Sequence, residues 1–165
     1  MMSLTQHEAW IYLPFVLPIC FYVCFTDLRE MRITNQAVIL LGGLFLVLGL
    51  IALPFDAYAW RLAQLVIVLL FGIVLNAAGA VGAGDAKFAA AAAPYIALGD
   101  FRLLLIILMA NLLAAVATHR IAKYTPLRKL APHWASWEKG WEFPMGLSLG
   151  GTLAIYLCLG AIFGS

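Results

Sequence analysis

The chain has 165 residues, 65% of them hydrophobic and only 11% charged, with a mean hydropathy of +1.00. A soluble domain carries charge on about a quarter of its residues, so a water-soluble globule is excluded and one membrane-embedded domain over residues 1–165 is expected. The formal net charge of +2 comes without a long polybasic tail, which points to lipid rather than nucleic acid as the surroundings.

Six apolar segments follow one another, at residues 10–26, 37–55, 62–78, 86–98, 103–118 and 143–163. No Lys or Arg precedes the first, and it ends in Thr26-Asp27 rather than a small-residue cleavage site, as a retained helix does and a signal peptide does not. Cys20, Cys24 and Cys158 all fall in apolar segments without a Cys or His cluster beside them, so they read as small buried side chains and no metal is expected. After the first segment comes the polar string Thr26-Asp27-Leu28-Arg29-Glu30-Met31-Arg32-Ile33-Thr34-Asn35, in which Thr34 or Asn35 can cap the second helix.

The third segment breaks at Gly79, Gly82 and Gly84, just before Asp85. Irregular backbone at membrane depth survives only where it is buried in protein or lines a wet cavity, so this loop implies a water-accessible pocket. Asp85 is expected to cap the fourth helix, whose N-terminus favours an ionised carboxylate. That helix, at residues 86–98, is about 20 Å long and cannot cross ~30 Å of hydrocarbon. Its alanines let neighbours approach closely and Pro94 bends it, which suits a short inner helix surrounded by the others.

The connection at 119–142 contains Thr125-Pro126 and Ala131-Pro132 as helix starts and Gly140 as a stop. Leu127, Leu130, Trp134, Trp137 and Trp141 recur at spacings of three and four with Arg128, Lys129 and Lys139 between them, a pattern expected of amphipathic helices anchored in the membrane interface. His119 and His133 have no ligand partners in the sequence, and Asn76 and Asn111 read as interhelical hydrogen-bonding groups. Of the ten Lys and Arg, eight fall in or, for Lys87, just beyond the first, third and fifth connections and two, Arg61 and Arg102, in the second and fourth. The positive-inside rule then places the odd connections, with Asp27 and Asp85, in the cytoplasm and both termini outside. The expected fold is an all-α polytopic bundle of about six transmembrane helices.

Carboxylates kept near hydrocarbon are functional candidates, because an ionised one at mid-bilayer costs roughly 2.5–3.5 kcal/mol. Two of them facing one water share a proton and act as general base and general acid. The plainer alternative is a helix-end Asp27 paired with Arg29 or Arg32 and an Asp85 that only caps its helix.

Taken together, these strings resemble the prepilin peptidase family of GxGD-type membrane aspartic proteases. The first family motif is matched from Asp27 through Arg32 to Asn35, with Thr34 where relatives have Pro. The second, Gly-x-Gly-Asp-x-Lys, is matched by Gly82, Gly84, Asp85 and Lys87, and a softer third by Phe143-Pro144-Met145-Gly146. The resemblance implies Asp27 and Asp85 as the catalytic pair, with Gly82, Gly84, Lys87, Arg32, Asn35, Pro144 and Gly146 supporting the site or binding substrate, and no cofactor. It further implies cleavage of a prepilin leader after a Gly, at the cytoplasmic face of a bacterial inner membrane. Longer relatives carry an N-methyltransferase part with paired Cys-x-x-Cys motifs; this sequence lacks them and looks like the short form found with Tad/Flp-type pili. Other readings are a related protease acting on preflagellin-like proteins, a small proton-coupled transporter, and a structural subunit of a secretion complex. Against the transporter stands the expected lack of polar groups continuing to the outer side.

Overall fold

The computed structural model describes residues 2–140 and 142–165. Thr5 opens the first helix, α1 (Gln6–Glu30), by accepting a hydrogen bond from the Glu8 amide, and Met31 closes it in the left-handed conformation at φ 53°. The second, α2 (Asn35–Ala52), starts at Thr34, whose hydroxyl accepts from the Ala37 amide as the capping reading expected. The third is α3 (Phe55–Ala77), followed by the glycine loop and the short α4 (Ala83–Ala92). At Pro94 the chain tightens into a 3-10 turn, Ala93–Tyr95, because proline cannot donate to the helical ladder. The bundle is completed by α5 (Phe101–Tyr124) and α6 (Met145–Phe163).

Five segments are long and apolar enough to cross a membrane: α1, α2, α3, α5 with its preceding turn, and α6. Large apolar side chains such as Ile39, Ile51, Phe71, Val74 and Leu113 point outward, as they do where the surroundings are lipid. The protein is a helical membrane bundle, and α4 is the short fourth helix that its length required. It is held by Tyr95, which packs edge-on against Tyr12 and Phe45 and donates its hydroxyl to the Leu41 carbonyl.

The tightest packing joins α1 to α6. Cβ atoms added at Gly150 and Gly160 would lie 2.9 Å from Cys24 Sγ and 3.2 Å from the Ala9 Cβ, so a glycine face on α6 sets the two helices against each other. That face carries Gly146 to the last turn of α1, where Asp27 lies.

Candidate active site

Asp27 falls inside the last turn of α1 and is 5% exposed. One of its carboxylate oxygens, Oδ2, accepts a 2.6 Å hydrogen bond from the Gly146 amide at the start of α6. A Cβ at Gly146 would sit 2.9 Å from both Cβ and Oδ2 of Asp27, so only glycine leaves this amide free to approach. Pro144, fully buried, precedes α6 and fixes the turn that presents the amide. One turn back along α1, the Cys24 thiol reaches toward the Gly146 and Leu147 carbonyls at 3.7 and 3.6 Å and ties the same two helix ends together.

Asp85 does not stand at the N-cap. Gly82 occupies that position, and Asp85 is the third residue of α4, where its carboxylate turns back against Gly82. This is the position of the acidic residue of a capping box, one turn inside the helix. A Cβ at Gly82 would meet Asp85 Oδ2 at 2.6 Å, so the glycine makes room for the carboxylate itself. Burial pushes the Asp85 carboxyl above the ordinary carboxylate range, and the Gly82 backbone offsets part of that.

Two contacts hold the start of α4 against the loop after α1 and the start of α2. Gly84 presses the first turn of α4 onto Ile33 in the loop after α1, where an added Cβ would lie 3.4 Å from the Ile33 Cβ. Lys87 of α4 donates to Asn35 Oδ1 of α2 at 3.2 Å. The two carboxyls consequently lie within electrostatic reach of each other. Arg32 is not drawn in. It is exposed and pairs with Glu30 at 3.4 Å, and Arg29 also turns to Glu30, so neither neutralises Asp27. Among the described residues no cation lies within ion-pairing distance of Asp27 or Asp85.

Other expectations need correction. Asn76 is not interhelical glue: it donates to the Val81 carbonyl and braces the glycine loop, whereas Asn111 does bridge α5 to Ser148 and Thr152 of α6. Pro126 starts a 3-10 turn, Pro126–Leu130, but Pro132 starts no helix, and Gly140 ends none. Trp137 does not face outward; it is 5% exposed, stacks on His119 and Trp134, and donates to the Ala131 carbonyl at 2.7 Å. Leu127 and Leu130 are exposed as an interfacial face requires, and Trp141 lies outside the described residues.

A second buried polar cluster, which the hydropathy pattern hides, lies at the opposite end of the bundle. Glu8 pairs with Arg61 at 3.4 Å, Arg61 also donates to the Pro94 carbonyl, and Asp100 accepts from the Ser3 and Leu4 amides and the Tyr156 hydroxyl. The far side is therefore not devoid of polar groups. Glu8 and Asp27 are nonetheless nineteen residues, about 28 Å, apart along α1, and the buried side chains of Val16, Ile19 and Val23 fill the space between them. Among the described residues no three His, Cys, Asp or Glu side chains converge as a metal site requires.

Residues 15–119, from α1 through α5, match the type IV leader peptidase family. The chain belongs to that family. No curated protein and no solved structure matches it. As a member it is a membrane-embedded peptidase, a hydrolase, and both Asp27 and Asp85 lie within the matched residues. The Gly146 amide lies beyond them, so its hydrogen bond to Asp27 is known from the structure alone.

Proposed function

We propose that this peptidase is an aspartic endopeptidase in which Asp27 and Asp85 together activate one water, and that it removes the leader of type IV prepilins of the Tad/Flp kind. The observation that carries the reading is the convergence of two uncompensated carboxyls, one from α1 and one from α4, in a protein of the leader peptidase family. Their mutual repulsion favours a state with one proton shared between them. The ionised member takes a proton from water as it attacks the peptide carbonyl and passes that proton to the leaving amine, while the protonated member donates to the developing oxyanion and recovers its proton when the carbonyl re-forms. The Gly146 amide keeps Asp27 oriented throughout, and the missing side chain of Gly82 leaves room for the Asp85 carboxylate.

The site lies at the end of the bundle where the basic residues gather, so the positive-inside rule supports a cytoplasmic site in a bacterial inner membrane, with both termini outside. A prepilin arriving through the bilayer with its basic leader in the cytoplasm would present its cleavage point at this depth. Reporter fusions after Glu30 and near Arg128 should read as cytoplasmic, and fusions after residue 53 and at the C-terminus as external. An external position for the Asp85 loop would sink the mechanism.

The deciding experiment is prepilin processing by the reconstituted protein. Asp27→Asn and Asp85→Asn should each lose about 10²–10⁴-fold in rate, the usual worth of general acid–base catalysis. The double variant should be no worse than either single one, because the two act as a unit. Substantial processing by both single variants would refute the dyad.

A further inference from the structure

Between α3 and α5, in front of α4, lies an apolar groove of about 340 Å³. Ile67 and Val68 form one wall, Leu104 and Leu108 the other, and Ala89 and Ala93 the floor. A floor of methyl groups lets the backbone of another helix approach closely. One polar side chain lines this groove without a partner. Gln64 is 9% exposed, and its Oε1 accepts no hydrogen bond from any described residue.

That orphaned oxygen distinguishes between occupants. A lipid acyl chain fills an apolar groove but leaves the amide oxygen unsatisfied, which is costly in hydrocarbon. A transmembrane helix bearing one hydroxyl or amide donor fills the groove and satisfies Gln64 as well. The groove also reaches to within one turn of the carboxylate site along α4, since Phe88 and Ala89 line it and Asp85 occupies the preceding turn. Gly72 of α3 packs on Ala86, next to Asp85, and Gln64 lies eight residues, about 12 Å, further along α3.

We propose that the groove holds the apolar helix of the substrate and that Gln64 selects a Ser, Thr or Asn about two turns into that helix from the residue level with Asp85. The assignment rests on the peptidase reading for its substrate, and the two are tested separately. The full-length protein, with Asp27→Asn to prevent turnover, is reconstituted in phosphatidylglycerol–phosphatidylcholine nanodiscs with a photo-crosslinking residue at Ile67. The probe is a synthetic peptide with a basic leader and an apolar helix of about 20 residues, carrying either Ser or Leu at the position that meets Gln64.

The expected result is a peptide adduct, about threefold more abundant with Ser than with Leu, as intramembrane hydrogen bonds of average strength give. Gln64→Leu should erase that preference without lowering the yield for the Leu peptide, and Ala93→Phe, which fills the floor, should remove the adduct. Adducts only to lipid, adducts only to a second copy of the chain, or an unchanged Ser preference in Gln64→Leu would overturn the proposal. Cleavage of a soluble leader peptide that stops short of the helix, by protein retaining Asp27, reports on the peptidase reading alone. Adducts without cleavage fail that reading and leave the groove standing; cleavage without adducts fails the groove.

Discussion

The two ends of this bundle both bury acids, and they treat them in opposite ways. At the end where the chain termini lie, Glu8 is matched by Arg61 and Asp100 is satisfied by two amides and a hydroxyl. At the other end, Asp27 receives the Gly146 amide, Asp85 lies against Gly82, and neither meets a cation among the described residues. An acid with a full set of partners is committed to structure, because its lone pairs and charge are already used. An acid left with at most one donor and another acid nearby is free to titrate, which a general acid or base must do. Burial alone does not separate the two classes, since Glu8, Asp27 and Asp100 are all buried; the partners do.

The sharpest way to break this comparison is to neutralise one acid at each end. Asp27→Asn should abolish processing while leaving the unfolding midpoint close to that of the parent, because Asn keeps the shape and can still accept from the Gly146 amide. Glu8→Gln should do the reverse. Removing one partner of a buried ion pair leaves the other charge uncompensated, typically at a cost of 3–5 kcal/mol, so this variant should unfold at a much lower temperature yet cleave at a near-parental rate per folded molecule. Peptide-cleavage assays normalised to folded protein, run beside thermal unfolding in detergent, separate the two outcomes. Equal loss of activity and stability in both variants would erase the distinction.

A smaller effect probes how Asp27 is aimed. Gly146→Ala places a Cβ 2.9 Å from the Asp27 carboxylate and Cβ, too close to hold without a shift of one side or the other. The carboxylate should lose its amide donor, with a fall of about 10-fold or more in kcat and little change in KM, since the residue positions the acid and does not touch substrate. Gly82→Ala should cost less, because the only close contacts of its Cβ are with the carboxylate of Asp85, at the free end of a side chain that can rotate away.

Much of this is legible in the sequence. The apolar segments, the short fourth helix and the two aspartate strings follow from hydropathy and spacing alone, because lipid imposes length and composition on whatever crosses it. Helix ends were less legible: α1 starts at Gln6 and α5 runs on to Tyr124, since polar residues in capped or interfacial turns stay helical without contributing to hydropathy. The position of Asp85 depended on where α4 begins, and Gly82 rather than the acid proved to be the boundary. Trp137 looked like an interfacial anchor by composition, but His119 at the end of α5 offers it a stacking partner that no local pattern reveals. The Glu8–Arg61 pair joins residues 53 positions apart, a separation that periodicity does not report.

The smallest effect lies in the pH dependence of stability, and it tests whether Asp85 is held at a cost. Its carboxyl is raised above the ordinary range by burial, so the folded state binds its proton more tightly than the unfolded chain does. Stability associated with Asp85 is then fully present below the unfolded value and is lost as pH rises through the folded one. Asp85→Asn removes the titration. Relative to that variant, the parent should become less stable as pH is raised from about 4 to neutrality, the window above the unfolded value near 3.9. Unfolding midpoints of the two proteins across that range provide the check. A pH-independent difference between them, or one that shrinks toward neutral pH, would mean that Asp85 is as well compensated as Glu8 and Asp100, and the contrast between the two ends would fail at its weaker member.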